Sequence, residues 1–101
     1  MIIYSVQCKV KAASAVAWEK YFQEIHLDDV FNTGCFTGYL FKKEKLADGQ
    51  FLFISDYYCP SLETLEEYNQ KHAAALKKDV IDKFAGQFSA KRNIYHIVVK
   101  K

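Results

Sequence analysis

Apolar and polar positions alternate from the first residues of this chain. Ile2, Tyr4, Val6, Cys8 and Val10 interleave with Ser5, Gln7 and Lys9, and a period of two marks a strand with one buried face. The period then changes. Ala15, Trp18, Tyr21, Phe22 and Ile25 recur at three- and four-residue steps, which stacks them on one face of a helix, with Ser14 placed as its N-cap. Run on unbroken, that helix would carry Asp29 onto its apolar face, where an unpaired carboxylate is costly. The pattern therefore predicts a break or bend near His26-Leu27. Asp28 or Asp29 then opens a second short turn and accepts its free backbone N–H groups, and Asn32-Thr33-Gly34 closes it.

A strand is expected over Cys35 to Lys45 and another over Phe51 to Cys59, joined by the turn Ala47-Asp48-Gly49-Gln50. The second of these is apolar on both sides. Phe51, Phe53 and Tyr57 point one way, and Leu52, Ile54 and Tyr58 the other. Pro60-Ser61 ends it, and Ser61 caps a helix whose first turns carry Glu63, Glu66 and Glu67 near the positive helix end. Leu62, Leu65 and Tyr68 begin its inner face. Ala73, Leu76, Val80 and Phe84 continue it after a bend near His72, and Gly86 stops it. Phe88 to Val99 is the last strand, with Ile94 and Val98 opposed to Tyr95, Ile97 and Val99.

The order strand, helix, strand, strand, helix, strand is the ferredoxin-like split βαβ pattern, an α+β fold. Right-handed crossovers place both helices on one face of a four-stranded antiparallel sheet. The other face is left bare, yet the two-sided strands demand cover for it. An isologous homodimer pairing sheet against sheet supplies that cover, because a large exposed apolar patch is unusual on a monomer.

Composition narrows the function classes. The chain has 101 residues, enough for one domain spanning 1–101 and too few for two. With 8 Phe and 7 Tyr against 4 Gly and 1 Pro, it can build a substantial core and is not of disordered type. The net charge is +2, from 14 basic and 12 acidic residues that are well mixed, and no basic stripe with interleaved aromatics speaks for nucleic acid. Lys42, Lys43 and Lys45, interrupted by Glu44, read as a solvated hairpin end. No apolar run is long enough to span a bilayer, and Met1 to Val6 has neither the basic leader nor the cleavage site of a signal peptide. The expectation is a cytoplasmic protein whose three cysteines, Cys8, Cys35 and Cys59, are reduced thiols.

Candidate chemistry is sparse. His26, at the end of the first helix, and His72, near the second bend, are candidate general bases, with helix-end hydrogen bonding as the plainer role for each. Asp56 is an acid in an apolar strand. It reads as a pocket carboxylate or, more simply, as one half of a cross-strand pair with Arg92 or Lys91. Cys35, Cys59, His26 and His72 lack the short spacings of a zinc site, so no metal is expected. No phosphate loop, nucleophile elbow or dinucleotide fingerprint is present, so no cofactor is expected. Trp18, Phe22, Phe36 and Tyr58, within a larger set that includes Tyr4, Tyr39, Phe53 and Tyr57, are candidates to line a cavity for a flat apolar ligand.

Trp18, His26, the run Asp29 to Phe36, Tyr57 to Ser61, and Tyr68 to Leu76 with its His72-Ala73 resemble a bacterial family of proteins classed as domain-of-unknown-function family 4286. That family is similar to the dimeric α/β-barrel superfamily. The two-sided strands and the missing catalytic constellation point to a homodimer that binds a small apolar or aromatic ligand between sheet and helices. The alternative, which the resemblance implies, is a cofactor-independent monooxygenase- or isomerase-like enzyme using His26 or His72. The chain departs from the family where proline is usual, at Asp28 and Ala74, which predicts softer helix bends. The family brings no established catalytic residues.

Overall fold

A computed structural model describes residues 1–101. Strands β1 (Ile2–Val10), β2 (Gly38–Lys45), β3 (Phe51–Cys59) and β4 (Phe88–His96) form one antiparallel sheet in the order β2-β3-β1-β4. The helical segments lie against one side of it. The first arm runs from a tight turn at Ala12–Ser14 through α1 (Ala15–Tyr21), a wide turn at Phe22–His26 and α2 (Leu27–Phe31). The second is α3 (Leu62–Lys71) followed by α4 (Ala73–Phe84), with His72 at the joint. This is the ferredoxin-like arrangement, with each expected helix realised as an interrupted pair.

Alternation decides which side chains reach the core. Tyr4, Cys8, Val10, Phe53, Tyr57 and Cys59 point under the helices and are buried. Trp18 is 0% exposed and stacks on Phe22 at 4.6 Å, with Phe88 at 4.8 Å and Phe84 at 5.0 Å. The bends and turns use the residues the pattern marks. Gly34, Gly49 and Gly86 have positive φ, a region open to glycine at little cost. The Ser61 hydroxyl accepts the Thr64 backbone N–H at 3.2 Å, capping α3.

Several local expectations are corrected. The first helix does not break at His26-Leu27. It widens: the Leu27 N–H reaches the Phe22 carbonyl, and the helical path continues to Phe31. The extra residue turns Ile25 outward (46% exposed) and brings Leu27 inward next to His26, leaving Asp28 and Asp29 in solvent. The Asp28 and Asp29 side chains cap nothing; Asp28 instead accepts the Tyr39 hydroxyl at 3.2 Å. Ser14 makes no capping bond either, and its hydroxyl donates to Gln87 at 3.0 Å. Leu62 is exposed although it precedes the buried Leu65 and Tyr68. β2 starts at Gly38 rather than Cys35, and β4 ends at His96, so Ile97 to Val99 lie beyond the strand.

The uncovered face is not uniformly apolar. Register places Gly38, Tyr58, Ile3 and Tyr95 in one row across the four strands, and Leu40, Asp56, Ser5 and Asn93 in the next. The third row is Lys42, Ile54, Gln7 and Lys91. Apolar character therefore gathers at one end. Asp56 lies on this face, and its partner is neither Arg92 nor Lys91. The Lys42 ammonium donates to its carboxylate at 2.8 Å. β2 is the strand beside β3, while β4 is separated from it by β1, and Arg92 points to the opposite side.

Candidate functional site

A cavity of about 180 Å³ lies between the sheet and the helices. Its floor is the inner row of three strands: Tyr4, Val6 and Cys8 of β1, Tyr57 of β3, and Phe88, Ala90 and Arg92 of β4. Its roof comes from both helical arms. Phe22 and His26 descend from the wide turn, Val30 from α2, Tyr68 from α3, and Leu76, Lys77, Val80 and Ile81 from α4. Most of these are buried, but Ala90, Arg92, Lys77 and Ile81 are exposed. The cavity therefore opens between the edge strand β4 and helix α4.

The wide turn decides what enters the cavity. A regular helix repeats a face every three or four residues. From Phe22 the next buried positions on this arm are His26, Leu27 and Val30, and the five-residue step to Leu27 fits only because one turn is underwound and holds an extra residue. The His26 imidazole is pressed against the Phe22 ring at 4.5 Å, and its Nδ1 has no hydrogen-bond partner. Burial pushes the imidazole down to about 4, with the Asp79 carboxylate pulling weakly the other way, so His26 is neutral near pH 7.

The other ionisable groups are equally shaped by burial. Tyr57 and Tyr68 are held well above the usual phenol range by loss of water. Burial raises Tyr4 as well, opposed by the Arg92 guanidinium, and pushes the Cys8 thiol up to about 11, so that thiol is inert near neutrality. Lys77 is lowered, first by burial and then by Arg92. No carboxylate lines the cavity; its permanently charged group is Arg92, and its second cation is Lys77.

Of the residues singled out in the sequence, the cavity contains Phe22 and His26, and from the larger aromatic set Tyr4 and Tyr57. Trp18 lies one layer beneath, against Phe22. Phe36 stacks on Tyr4 at 6.3 Å and meets Tyr68 at 4.8 Å, filling the core beside the cavity. Tyr58 is on the far side of the sheet, where the Lys100 ammonium sits 5.1 Å over its ring. Asp56 is on that side too. His72 borders a shallow polar depression with Asp29, Asn32 and Lys71 on the helical surface. His26, His72 and Asp56 are thus in three different places and form no joint constellation. No group of three or more His, Cys, Asp or Glu side chains converges, and Cys8, Cys35 and Cys59 are buried free thiols.

Sequence reasoning missed Arg92 and Lys77 as site residues. Arg92 shares its parity with Phe88, Ala90 and Ile94, so it is a cation on the inner side of a strand. Lys77 sits beside Leu76 and three residues before Val80 on the inner stripe of α4. A charge in such positions is a legible signal.

An antiparallel four-stranded sheet with helices on one side and an apolar cavity between the layers places the chain in the ferredoxin-like α+β class. The chain belongs to the domain-of-unknown-function family DUF4286, whose model matches residues 1–98. No curated protein matches it. Among solved structures it is similar to a dimeric ferredoxin-like protein from an uncultured marine organism, with a TM-score of 0.69, 14% identity, and coverage of 100% of this chain and 98% of that one. It is similar to an ethyl tert-butyl ether D (EthD) family protein of Bacillus halodurans, with a TM-score of 0.66, 15% identity, and coverage of 92% of this chain and 97% of that one. It is also similar to the haem-degrader MhuD of Mycobacterium tuberculosis, seen with two haems in its active site, with a TM-score of 0.61, 16% identity, and coverage of 100% and 99%. At such identities the likeness is one of fold.

Proposed function

We propose that this protein is a homodimer of α/β-barrel type that binds one small apolar or aromatic molecule between sheet and helices. The cavity of about 180 Å³ carries the reading. An engineered apolar void of about 150 Å³ holds benzene, so this volume suits a single ring. It is smaller than the roughly 300–1,000 Å³ of pockets that take drug-sized ligands. A tetrapyrrole, as bound by MhuD, does not fit it. Native mass spectrometry and calorimetry with single-ring compounds test the reading. Saturable binding at one site per chain supports it, and its absence across apolar, hydroxylated and acidic rings overturns it.

The dimer is supported by the apolar end of the open face, where Ile3, Tyr58 and Tyr95 line up with Leu40 one row away. A second copy related by a two-fold axis would shield this patch with its own equivalent. Sedimentation equilibrium at micromolar concentration tests it, and a pure 11.7 kDa species overturns it. The absence of a helix long and apolar enough to cross a membrane, and three buried free thiols, accord with a cytoplasmic setting.

A second reading is a cofactor-independent enzyme in which His26 accepts a proton from a bound substrate. Its support is the neutral imidazole in the cavity wall with an unpartnered Nδ1. No carboxylate faces it there to orient it, which favours binding over catalysis. His72, outside the cavity, has no such support.

A further inference from the structure

We infer that the ligand of the cavity is a single-ring acid, its ring inside and its anionic head held between the Arg92 guanidinium and the Lys77 ammonium at the opening. This rests on the cavity being a ligand site.

The argument starts from an imbalance of charge. Arg92 and Lys77 both border the cavity, on β4 and α4, and every other lining residue is neutral near pH 7. Lys9, Lys42, Lys43, Lys71 and Lys78 pair with carboxylates and the other lysines do not; what sets Arg92 and Lys77 apart is that they border one cavity. Neither Arg92 nor Lys77 has such a partner. Two cations on facing elements repel each other, and burial and Arg92 both lower Lys77. An anion at the opening would offset that repulsion. A carboxylate or phosphate there gains charge-assisted hydrogen bonds from both groups, bidentate ones from the guanidinium.

The size of the space then limits the rest of the molecule. The interior behind the cations is walled by Tyr4, Phe22, Tyr57, Tyr68 and Val80, a mainly apolar and aromatic lining. A ring packs there by offset or edge contacts. An anionic head joined to one ring satisfies both halves of the site. A long acyl chain exceeds a volume of about 180 Å³.

The test is calorimetric titration of the full chain with benzoate, phenyl phosphate and benzyl alcohol. Benzyl alcohol keeps the ring and lacks the charge. Benzoate or phenyl phosphate is expected to bind at least about tenfold more tightly than benzyl alcohol, and which of the two wins identifies the head group. Arg92→Gln with Lys77→Gln should abolish that preference, so that the charged rings bind no more tightly than benzyl alcohol does to the same variant. Both residues are exposed, and a thermal melt checks that the variant folds. Equal affinity for charged and neutral rings, or a preference that survives the double substitution, overturns the inference while the cavity reading stands. Binding of none of the three overturns both.

Discussion

The backbone N–H of Leu27 donates to the carbonyl of Phe22, five residues earlier. That one bond makes the helical turn wide enough to hold an extra residue, and the extra residue is what turns Leu27 into the core and Ile25 out to solvent beside His26 in the cavity wall. Wide turns of this kind occur often at functional sites, because they re-aim a side chain without ending the helix.

His26 makes stability depend on pH. Its folded value of about 4 lies below the ordinary 6.5, so between these values the unfolded chain binds the extra proton and the folded chain does not. Stability is then full above pH 6.5 and falls as pH drops toward 4. The loss expected is about 3 kcal/mol, taking about 1.4 kcal/mol per unit. Urea unfolding across that window, compared with His26→Leu, isolates this contribution from that of the carboxylates. Equal pH dependence in the two proteins would refute the assignment.

Lys42→Ala should destabilise the chain by about 1 kcal/mol. It strands the Asp56 carboxylate, whose side chain is only 13% exposed. The cost stays modest because Lys42 itself is half in water. Asp56→Leu added to Lys42→Ala should recover most of the loss, since the stranded charge is then gone. A double-mutant series in urea reads both changes.

Tyr95→Lys should shift the proposed dimer toward monomer. Tyr95 ends the apolar row that runs through Ile3 and Tyr58, and it is 47% exposed in the single chain. A charge in this apolar row is buried against the partner copy twice over, once on each side of the two-fold axis. Sedimentation should show at least a tenfold weaker association, roughly, while the far-ultraviolet dichroism stays unchanged.

Ser61→Ala should cost about 1 kcal/mol, because the Thr64 N–H loses the hydroxyl that now accepts it at 3.2 Å. Ser14→Ala should cost less, since that hydroxyl caps no helix. Comparing the two midpoints in one denaturant tests the difference in role.

Much of the fold is legible in the order of residues. The bounds of β1 and β3, the Asp48-Gly49 turn, the Ser61 cap and the stops at Gly34 and Gly86 follow from local rules about alternation, capping and positive φ. The bend at His72 is legible too. The wide turn is not, because Ile25 and Leu27 are equally apolar and the steps to each from Phe22 differ by two residues. Only burial of Leu27 and exposure of Ile25 distinguishes them. The partner of Asp56 was misjudged for a similar reason. Pairing across a sheet depends on which strand is the neighbour, and strand order is a property of the whole chain.

The sequence alone thus determined the element order, and with it the ferredoxin-like class, because periodicity and capping act over a few residues. It also marked Phe22 and His26 as candidates. Tertiary structure alone decided that Trp18, Phe36 and Tyr58 stand outside the cavity while Arg92 and Lys77 border it. The physical reason is that a cavity is what packing leaves unfilled. It forms where two layers carrying residues distant in the chain fail to close, and no local pattern records that gap.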